Sequence, residues 1–88
     1  MFRVRWEETA LNQLADLWTA ADSQLRQAIA ATTAQIDRQL QTDPLGPSES
    51  RPEGRRIFLL APLGILFRME ADGHTVSVLR VWLFRKRS

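Results

Sequence analysis

The sequence has no cysteine and no tyrosine, and only one histidine and one lysine among its 88 residues. Without cysteine, neither a disulfide nor a thiolate-bound metal supplements the core, a composition suited to a reducing cytosol. A single histidine, His74, excludes a multi-histidine metal centre, and no metal or cofactor is expected. No apolar stretch approaches the ~20 residues a membrane helix needs. The opening MFRVRWEETA has no apolar run behind its positive charge of the kind a signal peptide requires. The expectation is a soluble, cytoplasmic chain with no membrane partner, forming one small domain over residues 1–88. A chain this short buries only roughly 60–70% of its unfolded surface, so its stability is marginal.

What is present is arginine, unevenly placed. Residues 1–50 carry four arginines against seven carboxylates, net −3, whereas residues 51–88 carry eight basic groups against three, net +5. Eleven of the twelve basic residues are arginine, whose planar fork fits phosphate with two parallel hydrogen bonds and keeps its charge at any physiological pH. The asymmetry points the second half toward a polyanionic partner.

FRVRW at 2–6 alternates apolar and charged residues, the period of a strand with one buried face. The period then lengthens: Leu11, Leu14, Ala15, Trp18 and Ala21 fall at helical spacing. Asp22 or Ser23 is suited to cap a second helix, whose stripe is Leu25, Ile29, Thr32, Ile36 and Leu40. Asp43-Pro44 closes that helix, because the residue before a proline is steered away from helical geometry. LGPSESRPEG at 45–54 is a loop, and RRIFLL, GILFRME and TVSVLRVWLF read as strands, the last two joined through Asp72-Gly73. The expected fold is α+β, in the order β-α-α-β-β-β, with a small antiparallel sheet and a helical hairpin on one face.

A hairpin centred between Asp72 and Gly73 places Arg68 opposite Ser77 and Arg80 opposite Ile65, which puts the two arginines on different faces. A bulge in the last strand would reunite them. Charge within a hydrophobic strand needs a partner or a cleft, so Arg68 and Arg80 are candidate binding residues alongside Arg51, Arg55 and Arg56. The terminal Arg85, Lys86 and Arg87 are candidates for phosphate contact.

The IDRQL at 36–40 followed by DP at 43–44, the run GRRIFLLAPLGILFRME at 54–70 and VSVLRVW at 76–82 together resemble the RelE/ParE superfamily of bacterial toxin-antitoxin toxins, over essentially the whole chain. The resemblance implies a cognate antitoxin partner and one of two activities. RelE-like members cut mRNA on the ribosome as metal-independent endonucleases and so inhibit translation. ParE-like members inhibit DNA gyrase and cut nothing. On the first reading Arg55 or Arg56, Arg68 and Arg80 stabilise charge on the phosphate, with Arg51, Arg85, Lys86 and Arg87 binding RNA. A degenerate member that only binds its antitoxin is a third alternative. The nuclease reading is the expectation taken forward, and it meets one obstacle in the residues themselves. Cutting at a 2′-OH needs a general base and a general acid. The superfamily's nucleases rely on lysines or a C-terminal tyrosine for this, and here only Glu49, His74 and Lys86 remain, since arginine holds its proton above about pH 12.

Overall fold

The computed structural model describes residues 1–84. Strand β1 (Arg3–Trp6) leads into helices α1 (Glu8–Ala20) and α2 (Ser23–Thr42). These are followed by a two-residue strand β2 (Glu49–Ser50), a 3-10 turn (Pro52–Gly54), and strands β3 (Arg55–Leu60), β4 (Leu63–Met69) and β5 (Thr75–Leu83). They form one five-stranded sheet in the order β1-β5-β4-β3-β2. The α+β class and the element order follow the sequence reading, with β2 as an addition. The sheet, expected to be antiparallel, is mixed: β1 runs parallel to β5, pairing Arg3 with Thr75 through Trp6 with Val78. A parallel neighbour far along the chain leaves no turn residue to announce it.

Both helices cover one face. The predicted stripe of α2 is the one that buries, with Ile29, Thr32, Ile36 and Leu40 inside and Leu25 partly so. These pack on Leu63, Ile65 and Phe67 of β4 and on Val76, Val78 and Val81 of β5. Asp22 caps α2 by accepting from the Leu25 N–H at 2.8 Å. α1 differs from its expected stripe. Its inward line is buried Ala10 with partly buried Leu14 and Leu17, continued by Ala21 just past its end, whereas Leu11, Ala15 and Trp18 are exposed, so its apolar residues form two adjacent stripes. The indole N–H of Trp6 donates to Asp37 at 3.3 Å, tying β1 to α2.

The feature that shapes the other face lies in β5. Phe67, Arg68 and Met69 pair with Val78, Ser77 and Val76, the register expected from the hairpin, but Leu66 pairs with Arg80 and leaves Leu79 as an extra residue. This bulge overturns the simple register beyond Phe67, which places Arg80 opposite Ile65. Side chains alternate along a strand, so one extra residue exchanges the faces of everything beyond it. Val81 turns into the core, while Arg80 and Trp82 turn out. Beyond the bulge β1 no longer flanks β5, and Gln13 of α1 takes over, its side-chain oxygen accepting from the Val81 N–H at 2.8 Å.

Candidate functional site

The face of the sheet away from the helices carries the charge. Its register sets Arg5 beside Ser77, Ser77 beside Arg68 and Arg68 beside Arg55, a row of three arginines and one serine across β1, β5, β4 and β3. Two residues along from Arg68 toward the β3–β4 turn, Leu66 lies opposite Arg80, so the bulge brings Arg55, Arg68 and Arg80 onto a common face.

At the centre of the row the charge is compensated. The Arg68 Nε and Nη2 both donate to one oxygen of Glu70, at 3.2 and 3.0 Å. The Arg5 Nη2 lies 3.9 Å from the same oxygen, 3.2 Å from the Ser77 hydroxyl and 3.2 Å from Glu7. Ser77 is fully buried although it points away from the helices, because these side chains roof it over. Hydrogen bonds from Ser77 and Arg68, then the charges of Arg68 and Arg5, hold the Glu70 carboxyl below its usual carboxylate value against the opposing effect of partial burial.

The other sequence-predicted residues are spread out. Arg55 is half exposed, 3.8 Å from Glu53. Arg56, its neighbour, points to the opposite side of the strand and clamps the preceding loop: its Nε donates to the Ser48 hydroxyl at 2.6 Å and its Nη2 to the Ser48 carbonyl at 3.0 Å. Arg51 is occupied within its own turn, paired with Glu49 at 3.1 Å and bonded through its backbone N–H to the Arg55 carbonyl at 2.7 Å. Arg80 is exposed and makes no ion pair among the described residues. Arg85, Lys86 and Arg87 lie outside the described residues.

Of the proton-transfer candidates, Glu49 is held at the β2 edge by Arg51. His74 lies exposed in the β4–β5 turn, where Asp72 accepts from its backbone N–H at 2.7 Å. Those N–H bonds, first that of His74, and the Thr75 hydroxyl hold the Asp72 carboxyl below its usual value as well. Among the described residues no cluster of three metal-ligating side chains exists.

Three participants were not singled out from the sequence: Arg5, Ser77 and Glu70. Glu70 follows Arg68 at the two-residue spacing that shares a strand face, a signal already present in RME. Arg5 needed the parallel pairing with β5, which the sequence does not announce.

Trp82 completes the face. It lies opposite Gly64, and a Cβ at that glycine would stand 2.5 Å from the indole ring, so the ring occupies the space that a side chain at position 64 would take. At the far end, the β3–β4 turn borders a shallow cavity of about 410 Å³ lined by Leu59, Leu60, Ala61 and Phe84, away from the arginine row.

The sequence matches the family model of the ParE toxin of type II toxin-antitoxin systems, parDE, over residues 4–86. A search of curated protein sequences finds no significant match. Among solved structures the fold is similar to a chain of the RelBE2 toxin-antitoxin complex of Mycobacterium tuberculosis, with a TM-score of 0.73 and 23% identity over 94% of this chain and 91% of that one. It is similar also to a chain of the chromosomal ParDE system of P. aeruginosa, at 0.74 and 20% over 97% and 98%. A chain of the intact E. coli RelBE complex gives 0.60 and 13% over 98% and 100%. Identities this low speak for the shared fold, while the family match covers nearly the whole length. By that match the chain belongs to the ParE toxin family of type II toxin-antitoxin systems, within the RelE/ParE superfamily.

Proposed function

We propose that this toxin acts by binding, as an inhibitor of DNA gyrase of the ParE kind, and that a cognate antitoxin holds it in check. The observation that carries this reading is Glu70. A nuclease needs its cationic groups open to the scissile phosphate, and here the central arginine of the row is engaged by a carboxylate two residues on, just past the end of its strand. Proton transfer is poorly provided for as well. Glu49 and His74 stand away from the row, and Glu70, with its affinity for protons lowered, is a weak base. The ParE family match supports the same conclusion.

An antitoxin partner is supported by the toxin-antitoxin complexes among the structural relatives. It is supported too by apolar surface left uncovered at Leu11 and Trp18 of α1 and at Leu59 and Leu83 of the sheet. A short acidic, amphipathic segment fits a surface of this composition.

One observation favours the alternative, ribosome-dependent mRNA cleavage: the β5 bulge sets Arg80 on the face of Arg55 and Arg68. The two readings separate in one comparison. Purified protein is added to a gyrase supercoiling reaction and, separately, to ribosomes programmed with mRNA whose ends are then mapped. Inhibited supercoiling with intact mRNA supports the binding reading. New mRNA ends that disappear in Arg68→Ala and Arg80→Ala support the nuclease.

A further inference from the structure

The row Arg5–Ser77–Arg68 has a notch at its centre. Arg5 and Arg68 stand on strands separated by β5, about 9–10 Å apart at the backbone, and the residue between them has one of the shortest side chains. The notch is floored by the Ser77 hydroxyl and walled by two guanidinium groups, all hydrogen-bond donors. What fills it is the carboxylate of Glu70, accepting twice from Arg68 and lying 3.9 Å from Arg5, whose nearer carboxylate is Glu7 at 3.2 Å. A carboxylate presents two oxygens sharing one negative charge, and so do the non-bridging oxygens of a phosphodiester. Donors arranged for one suit the other.

We propose that Arg5, Arg68 and Ser77 form a phosphodiester-binding site that Glu70 keeps closed by occupying it. Glu70 lies just past the end of β4, its backbone N–H bonded to the Thr75 carbonyl at 2.8 Å, so its side chain is presented to the notch from a fixed anchor. A group tethered two residues from Arg68 competes at an effective concentration of about millimolar or above. A phosphodiester held by the same few contacts in free solution does not displace it. The inference rests on the binding reading above: Glu70 turns a basic sheet face into one that does not grip a nucleic-acid backbone.

The test is fluorescence anisotropy at low salt with a labelled single-stranded oligoribonucleotide and a DNA oligonucleotide of the same sequence, comparing the wild-type chain with Glu70→Ala. Opening the notch is expected to tighten binding by about tenfold. The gain is lost in the double variant Glu70→Ala with Arg68→Ala. Asp16→Ala removes one exposed negative charge from α1, on the helical side of the sheet, and gains less than about twofold. Millimolar inorganic phosphate displaces the oligonucleotide from Glu70→Ala where a single phosphate fills the site, and leaves it bound where successive backbone phosphates are needed; either result upholds the site and identifies its ligand. Equal affinity of wild type and Glu70→Ala overturns the proposal, as does a gain that survives the loss of Arg68 or is matched by Asp16→Ala. Circular dichroism confirms that each variant is folded. Gyrase inhibition by the wild type, measured separately, tests the binding reading without deciding this one.

Discussion

Arg68 of β4 directs two donors of its guanidinium at a single oxygen of Glu70, two residues ahead and just past the end of the strand. The pair is partly exposed, so its effect on stability is modest and screened by salt. Its effect on charge is larger, because it neutralises the central arginine of a row whose outer members, Arg5 and Arg55, already lie 3.2 and 3.8 Å from Glu7 and Glu53.

A pH dependence follows with a definite sign. Glu70 faces Arg5 of β1, Arg68 of β4 and the Ser77 hydroxyl of β5, with Glu7 sharing Arg5, and its carboxyl is held below the unfolded value of 4.5. Asp72, bonded to the His74 and Thr75 backbone N–H groups, is held below 3.8. A carboxylate with a depressed folded value contributes stability that is present above its unfolded value and lost as pH falls through the folded one. Urea unfolding midpoints are therefore expected to fall as pH drops below about 4.5. Glu70→Gln is expected to be less stable than wild type near neutrality and to converge with it in acid. A constant difference across the range contradicts this account.

The adjacent arginines Arg55 and Arg56 separate binding from stability. Arg56→Ala removes the donors that hold the Ser48 hydroxyl and carbonyl, and is expected to cost about 1–3 kcal/mol in denaturant unfolding. Arg55→Ala, on the open face beside Glu53, is expected to change stability by less than about 0.5 kcal/mol.

Gly64→Ala probes the seat of Trp82. The added methyl meets the indole at 2.5 Å, and the neighbour in the way is a rigid ring. The expected outcome is a loss of about 1–3 kcal/mol, with a shift in tryptophan emission that Gly64→Ala made in a Trp82→Phe background does not show.

The sequence was most legible where local spacing decides the structure. The stripe of α2 from Leu25 to Leu40, its Asp22 cap and the Arg68–Ser77 register all follow from periodicity and turn chemistry. It was least legible where distant parts of the chain meet. The parallel pairing of β1 with β5 brings Arg5 to Ser77, and nothing near Arg5 encodes that contact. The bulge at Leu79 carries no glycine, and beyond it Gln13, 68 residues away, takes up the Val81 N–H. The buried side of α1 is not legible in its spacing, because its two apolar stripes lie side by side and only the position of β5 decides which one is buried. Arg55 and Arg56 illustrate the same limit at the site: alternation says that they part, but which of them faces the open side depends on the partner strand.

The central claim, a toxin that binds gyrase without cutting RNA, is tested most directly by the paired assay on the wild-type protein. In molar excess over gyrase it is predicted to block supercoiling of relaxed plasmid, while mRNA on programmed ribosomes keeps its original ends. Cleaved mRNA together with unimpaired supercoiling would contradict the account.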